Sequence, residues 1–151
     1  MIRILIDADL ILEALMNRNN STADAKELLE RVHPSIQIYL TDAGLQKIYA
    51  YACCLKNSQI AEIVVDWLQE RIQICVVDQA ILQTARLFPL KDFESAVELI
   101  CLNYLHLDAI VTHKPEDFTL FSNMFRIWTV GDLWLRVNLE NQLRETISNY
   151  F

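Results

Sequence analysis

The stretch LKDFESAVELICLNYLHLDAIVTHKPEDF (residues 90–118) decides the fold, because it places a helix directly before a buried strand. The pattern predicts a helix that begins after Asp92, a short apolar strand at AIVT (109–112) and a turn at HKPED. A helix that leads into such a strand is typical of a parallel sheet, in which the crossovers run through helices. The stretch also carries six carboxylates, a number that raises the question of a binding site.

The same alternation of strands and helices extends over the rest of the chain. Short apolar runs predict strands at 2–6, 36–40, 72–77, 109–112 and 125–130. Helices are predicted at 9–16, from a cap at Ser21 or Thr22 to Val32, from Thr41 to Leu55, at 58–70, from Asp78 to Phe88, from Asp92 to Leu105, and from Gly131 and Asp132 onward. We therefore predict one domain over residues 1–151, a three-layer α/β/α sandwich around a mostly parallel sheet of about five strands.

Composition narrows the class of protein. The chain has 151 residues, is 53% hydrophobic, and contains only two glycines and three prolines, which excludes a disordered or low-complexity protein. No window holds the ~18 uninterrupted apolar residues that a membrane span needs, and charges within the apolar start of the chain exclude a signal peptide. The apolar surplus favours a subunit interface, with a well-filled core as the alternative. We expect a cytoplasmic homodimer that does not contact membranes.

Cysteine usage and net charge limit the partners. The four cysteines show no C-x-x-C spacing, and the histidines form no paired ligand spacing with them. We therefore expect neither a zinc site nor disulfides, and free thiols in a reducing compartment. The net charge is −7 and the pI is near 4.9, which is not typical of a protein that grips nucleic acid only through basic patches. Contact with phosphates would require local neutralisation, which a divalent cation held by carboxylates supplies.

Three aspartates are predicted to meet at one edge of the sheet. Asp7 follows the first strand, Asp117 follows the fourth strand, and Asp92 opens the helix that leads into the fourth strand. In open parallel sheets, sites form beyond the carboxyl ends of the strands, at the point where the strand order reverses. Carboxylate oxygens are the ligands that Mg²⁺ and Mn²⁺ prefer, so the pattern predicts a site for Mg²⁺ or Mn²⁺.

Three segments carry a resemblance to a known family: ILIDADLILEAL (4–15), LTDAGLQKIYAYA (40–52) and KDFESAVELICLNYLHLDAIVTHKPEDF (91–118). Together they resemble the PIN domain, in particular bacterial members with a D-F-E-D-A-type helix start and an I-V-T-R-N-x-x-D-F strand end. The resemblance extends over about residues 1–128, and the strand-end motif with its spacing to the helix is its most specific part. It implies a metal-dependent ribonuclease, and many such proteins are toxins of toxin–antitoxin pairs.

The resemblance also implies roles for particular residues. The residues implied to be metal-binding and catalytic are Asp7, Asp92 and Asp117. The residues that we expect to support them are Asp9, Ser95, Glu98, Thr112 and His113. Each position also has a plainer interpretation: the aspartates cap helices or form turns, Ser95 is an ordinary first-turn residue, and His113 is a structural turn histidine.

The sequence departs from the family pattern in three places. Ser95 stands where a second helix acid is usual, His113 and Lys114 replace an arginine and an asparagine, and the helix after the second strand offers only Asp42 near its start. Glu98, three residues beyond Ser95, is the better substitute for the missing acid. Glu94 points about 200° around the helix from the cap, at about 100° per residue, and is expected to be solvated.

Two classes of function remain open from the sequence. The first is a PIN-type endoribonuclease in which a metal-activated water attacks an RNA phosphodiester, with RNA as substrate and an antitoxin protein as partner. The second is a degenerate PIN domain that binds RNA or a protein without cutting. A nucleotide-binding switch is a third interpretation, which the lack of a glycine-rich phosphate loop disfavours.

Overall fold

The computed structural model describes residues 1–16, 23–31, 33–90 and 92–150, as an alternation of strands and helices. The order of elements is β1 (Ile2–Ile6), α1 (Ala8–Met16), α2 (Ala23–Glu30), β2 (Ile36–Thr41), α3 (Asp42–Leu55), α4 (Ser58–Gln69), β3 (Gln73–Cys75), α5 (Gln79–Leu87), α6 (Phe93–Tyr104), β4 (Ala109–Val111), a 3-10 helix (Pro115–Phe121), β5 (Ile127–Trp128) and α7 (Val130–Tyr150). Two helices fill each of the first three crossovers, as the sequence predicted.

All five strands are parallel and lie in the order β3-β2-β1-β4-β5. This confirms the predicted α/β class. The chain builds outward from β1 through β2 to β3, and it then crosses to the other side of β1 to form β4. The strand order therefore reverses between β1 and β4, where Ile6 pairs with Val111. The residues that immediately follow these two strands, Asp7 and Thr112, are placed side by side.

The hydrophobic core divides into two layers, one on each face of the sheet. Alternate residues of β1 point to opposite faces, so Ile4 and Ile6 belong to one cluster and Leu5 to the other. The first cluster joins residues of β1, β2, β4 and β5 to α1, α2, α3, α4 and α7, and the second joins the opposite-facing residues of β1, β3 and β4 to α5, α6 and the 3-10 helix. The three layers are the predicted sandwich.

Side-chain caps fix the starts of the helices that approach the site. Thr41 Oγ1 accepts a 2.9 Å hydrogen bond from the N–H of Gly44 at the start of α3. Asp78 caps α5 in the same way, and both caps were predicted. A Cβ atom on Gly44 would lie 3.1 Å from the Cβ atom of Ala8, so glycine lets α3 approach the start of α1 closely.

The predicted boundaries were wrong at the edges of the sheet. β3 spans only Gln73–Cys75 and β5 only Ile127–Trp128, because each is an edge strand that pairs with one neighbour over a few residues. α7 begins at Val130, one residue before the predicted opening, since Thr129 and Asp132 accept hydrogen bonds from each other's backbone N–H groups. The predicted cap at Ser21 or Thr22 and the helix end at Val32 lie outside the described residues.

On α7, four apolar residues recur at i, i+4 spacing, a pattern that predicts an apolar stripe packed onto the sheet or a neighbouring helix, and the stripe does not pack in this way. Its members are exposed by half or more: Leu135, Leu139, Leu143 and Ile147. The buried residues of the helix, Val130, Leu133 and Val137, lie in its first two turns, and residues 141–150 are all exposed. Within the described part of the chain, no helix is long and apolar enough to cross a membrane.

Candidate active site

Asp7 lies at the centre of the carboxyl edge of the sheet and is buried, with 8% of its surface exposed. Its Oδ1 accepts a 3.0 Å hydrogen bond from the N–H of Asp9, so Asp7 caps α1, as its plainer interpretation held. Its Oδ2 accepts a 2.8 Å hydrogen bond from the hydroxyl of Thr112, which is fully buried after β4. Burial raises the pKa of Asp7, and these two hydrogen bonds offset only part of that effect.

Thr112 and His113 approach Asp7 from the other side of the strand reversal. The same hydroxyl of Thr112 accepts a 3.1 Å hydrogen bond from the N–H of Lys114, so it ties the carboxylate to the turn that follows β4. His113 lies near enough to Asp7 to interact with its charge. The Nδ1 atom of His113 is buried and has no hydrogen-bond partner among the described residues. Both supporting residues are therefore in the immediate surroundings of Asp7.

Glu98 is the buried acid that faces Asp7 from α6. It is 6% exposed, and it accepts a hydrogen bond from the backbone N–H of Ala8, the first residue of α1. Burial raises the pKa of Glu98 well above its usual range, and the charges of Asp7 and Asp9 raise it further. The burial of Glu98 excludes a solvated position on α6, and its role as the substitute acid stays a prediction.

Lys47 joins two further acids at the same edge. Its Nζ atom lies 2.7 Å from Oδ1 of Asp9 on α1 and 2.6 Å from Oε2 of Glu94 on α6. Burial lowers the pKa of Lys47, but the hydrogen bonds to the two carboxylates outweigh it and raise the pKa above its usual value. Glu94 is solvated as expected, with its side chain 57% exposed, and it takes part in this bridge as well.

Four carboxylates thus lie at this edge, two of them in contact with the ammonium of Lys47, and we call Asp7, Asp9, Glu94 and Glu98 the acidic cluster. Its inner pair is Asp7 and Glu98, and its outer pair is Asp9 and Glu94, which Lys47 bridges. Neither member of the inner pair has an ion pair within the described residues. The two carboxyl groups of the inner pair are therefore buried either as unpaired negative charges or in their protonated form.

Asp92 lies at the start of α6 and Asp117 in the 3-10 helix after β4, and among the described residues no contact joins either of them to Asp7. Asp92 caps α6 and is exposed, and its Oδ2 accepts a 2.9 Å hydrogen bond from the hydroxyl of Ser95. Asp117 is also exposed. The contacts therefore show Asp92 as the cap of α6, in which its side chain accepts a hydrogen bond from the N–H of Glu94. The metal-binding roles of Asp92 and Asp117 remain predictions.

A cavity of about 160 Å³ opens beside the acidic cluster, between α3 and α6. Lys47, Glu94 and Glu98 form its polar wall, while Gly44, Phe93 and Val97 contribute to its apolar wall. Phe93 is 42% exposed. The arrangement places an apolar recess with one aromatic ring directly against the charged groups.

The residues at this edge fit a divalent cation in charge and ligand type, although they do not form a complete ligand cage. Among the described residues, no three His, Cys, Asp or Glu side chains are arranged to hold a metal ion. The inner pair nevertheless offers hard oxygen ligands without a partner cation, which is the environment that Mg²⁺ and Mn²⁺ neutralise. Asp7 and Glu98 are the residues that would hold such an ion.

Lys47 is the residue that the sequence analysis missed. In the stretch LQKIYAYACCL (45–55), the aromatic residues Tyr49 and Tyr51 favour helix packing or a dimer face, with base stacking as the alternative, and the pattern gives the lysine no role. A signal was present, because Lys47 lies in the second turn of a helix that begins at the carboxyl edge of β2. Asp9 and Glu94 occupy the first turns of two other helices that begin at the same edge.

The chain belongs to the PIN domain family, whose model matches residues 3–114. The match confirms the resemblance that the three sequence segments carried.

Solved structures share the fold at low sequence identity. VapBC-1 from nontypeable Haemophilus influenzae is 14% identical, with a TM-score of 0.64 over 87% of this chain and 99% of that chain. VapBC2 from Rickettsia felis, bound to a promoter DNA fragment, is 12% identical, with a TM-score of 0.64 over 84% and 99%. VapC20 from Mycobacterium tuberculosis, a sarcin–ricin loop cleaving toxin, is 12% identical, with a TM-score of 0.56 over 71% and 86%. None of the curated proteins compared matches this chain.

Proposed function

We propose that this protein is a metal-dependent endoribonuclease and the toxin of a toxin–antitoxin pair. The observation that carries the proposal is the burial of Glu98 against Asp7 at the strand reversal, without a cationic partner among the described residues. Two acids in this position are costly to the fold unless they are protonated or bind a cation. A binding role gives this costly arrangement a physical reason.

The residues divide the chemical work between them. Asp7 and Glu98 would hold Mg²⁺ or Mn²⁺, with Asp92 and Asp117 as further acids that contribute to the site. A divalent cation supplies an activated water and stabilises charge on a phosphodiester. Thr112 holds the carboxylate of Asp7 in one orientation through its 2.8 Å hydrogen bond. His113, which lies beside Asp7, would contact a phosphate or accept a proton from water.

RNA cleavage tests this proposal. A mixed pool of single-stranded RNA is incubated with the protein and Mg²⁺ or Mn²⁺. The Asp7→Asn variant removes one carboxylate of the site, and EDTA removes the metal ion. Glu62→Gln is the matched control, because it removes one exposed carboxylate from α4 and leaves the acidic cluster intact. We expect cleavage by the wild type and by Glu62→Gln, and none by Asp7→Asn or in EDTA.

The structures that share the fold also indicate the partners of this protein. The structures that share the fold include VapBC proteins and a toxin–antitoxin complex from Klebsiella pneumoniae, which supports an antitoxin protein as the partner of this chain. The exposed apolar stripe of α7 supports self-association as a homodimer. Both assemblies, like the RNA substrate, would be cytoplasmic.

A non-cutting PIN domain is the second candidate, and Lys47 is the observation that favours it. A lysine bridging Asp9 and Glu94 neutralises half of the acidic cluster, and the described residues lack a complete ligand cage. Such a site binds metal more weakly than four free carboxylates would. This second function would be established if the folded protein binds RNA or an antitoxin but does not cut RNA with either metal.

A further inference from the structure

Lys47 connects three helices at the carboxyl edge of the sheet. The lysine is on α3, and its two partners, Asp9 and Glu94, are on α1 and α6. The ammonium lies 2.7 Å and 2.6 Å from the two carboxylate oxygens, and the lysine side chain is 35% exposed. It also lines the cavity that reaches Glu98. The lysine is therefore part of the wall of the site rather than a remote surface residue.

The position of this ammonium determines which carboxylates are available to a cation. An oxygen of Asp9 and an oxygen of Glu94 both face the same point, and the Nζ atom of Lys47 occupies it. A divalent cation that used both of these oxygens would have to lie between them and would meet the ammonium. The inner pair, Asp7 and Glu98, has no ion pair within the described residues and stays open to a cation.

We propose that Lys47 is a resident counter-ion that holds the outer pair together and restricts divalent cations to the inner pair. The inference rests on the proposed function in one respect, namely that the inner pair binds a metal ion. It adds that the outer pair is closed to metal by a group of the chain itself. In the metal-free protein, the same ammonium holds α1, α3 and α6 in register around the site.

A conventional surface bridge would behave differently. Exposed ion pairs contribute between about 0 and 1 kcal/mol to stability and have no bearing on how many metal ions a protein binds. If Lys47 keeps metal from the outer pair, removal of its charge must open that pair, and the number or affinity of bound ions must change. Metal-binding stoichiometry therefore separates the two interpretations without any measurement of RNA cleavage.

Mn²⁺ titration followed by electron paramagnetic resonance tests the proposal, because the signal of free Mn²⁺ counts the ions that are bound. Lys47→Met removes the charge at similar side-chain length, and Lys56→Met removes an exposed lysine charge beyond the end of the same helix. We expect one bound ion in the wild type and in Lys56→Met. We expect a second ion in Lys47→Met, or about tenfold tighter binding of the first, which corresponds to about 1.4 kcal/mol.

A second variant approaches the outer pair from its acidic side. The double variant Asp9→Asn, Glu94→Gln keeps Lys47 and removes both of its partners. Since the proposal holds that metal does not use these oxygens, wild-type Mn²⁺ stoichiometry should persist in this variant. Loss of the wild-type ion would overturn the proposal, and this result can be obtained even if Lys47→Met fails to fold.

The outcomes also separate this proposal from the proposed function. If the wild type binds no Mn²⁺ and Lys47→Met does, the inner pair is not open to a cation in the presence of Lys47, and both the restriction to the inner pair and the proposed function are wrong. If the wild type and Lys47→Met bind the same number of ions with the same affinity, Lys47 is an ordinary ion-pair partner and the proposal is wrong. If neither protein binds Mn²⁺, removal of the lysine has opened nothing, and the proposal is wrong as well.

Discussion

The hydroxyl of Thr112 donates a 2.8 Å hydrogen bond to Oδ2 of Asp7, joining two residues that are 105 positions apart in the sequence. Both atoms are buried, and the bond closes the point at which the strand order reverses between β1 and β4. The same hydroxyl accepts the N–H of Lys114. One side chain therefore fixes both the carboxylate and the turn that faces it.

Replacement of Thr112 by valine should weaken the fold and loosen the site. Valine keeps the shape but removes the hydroxyl, which leaves a buried oxygen of Asp7 and the N–H of Lys114 without their partner. We expect a loss of roughly 1–3 kcal/mol in the free energy of unfolding, measured by urea denaturation. Thr112→Ser keeps the hydroxyl and should lose less than Thr112→Val. Equal stability of Thr112→Val and the wild type would show that this hydrogen bond contributes nothing.

The stability of the metal-free protein should fall as the pH rises through the range in which Glu98 ionises. Burial raises the pKa of Glu98 well above its usual value of 4.5, so between these two values the folded protein binds more protons than the unfolded chain. Stability decreases with rising pH wherever the folded state binds more protons. The contribution of Glu98 is therefore complete below pH 4.5 and is lost as the pH passes through the raised pKa. Asp7, whose pKa is also raised, adds to the same trend.

Glu98→Gln should remove part of this pH dependence. The amide keeps an oxygen that can accept the N–H of Ala8, and it carries no charge to bury. At neutral to alkaline pH and in EDTA, we expect the variant to be more stable than the wild type by roughly 1–3 kcal/mol. Thermal unfolding across a pH series measures this effect, with Glu62→Gln as the exposed control. A wild-type pH slope in Glu98→Gln would contradict the burial of an uncompensated charge.

Divalent cations should stabilise the wild type at neutral pH and should not stabilise Asp7→Asn. An ion that binds only the folded state adds about 2.7 kcal/mol at a concentration a hundred times its dissociation constant. Thermal unfolding with increasing Mn²⁺ measures this gain directly. Ca²⁺ is an informative comparison, because it prefers larger and more flexible oxygen cages than the inner pair offers. A stabilisation by Mn²⁺ that is the same in Asp7→Asn would place the ion elsewhere.

Self-association should depend on the exposed stripe of α7. Leu139 and Leu143 are 50% and 63% exposed on successive turns. We expect light scattering to give twice the molar mass of one chain for the wild type. The double variant Leu139→Glu, Leu143→Glu should be monomeric with an unchanged far-ultraviolet circular dichroism spectrum. Persistence of the dimer in this variant would exclude the stripe as the interface.

The sequence predicted the elements whose signals are local. The strand at 2–6, the Thr41 cap and the Asp78 cap each depend on a few neighbouring residues, and each was predicted correctly. The lengths of β3 and β5 depend on how far their partner strands extend, so an apolar run overestimates them. The stripe of α7 shows that spacing identifies an apolar face and does not identify what covers it.

The candidate site was predicted only in part, because helix α6 is buried over most of its circumference. Five successive residues from Ser95 to Leu99 are buried, since α6 packs against the sheet, α5 and the start of α1. The usual alternation of buried and exposed faces is therefore absent, and Glu98 and Glu94 look alike in sequence. The bridge of Lys47 joins residues 9, 47 and 94, and only the tertiary arrangement brings them together.

The most direct measurement is the rate of RNA cleavage by Glu98→Gln in Mn²⁺ under single-turnover conditions, beside the wild type and Glu145→Gln. Glu145 is an exposed acid on α7, so its variant controls for the loss of one carboxylate. We predict cleavage by the wild type and Glu145→Gln, and a loss of at least about a hundredfold in Glu98→Gln, because the inner pair holds the metal. Cleavage by Glu98→Gln at the wild-type rate would contradict the assignment of the site to Asp7 and Glu98.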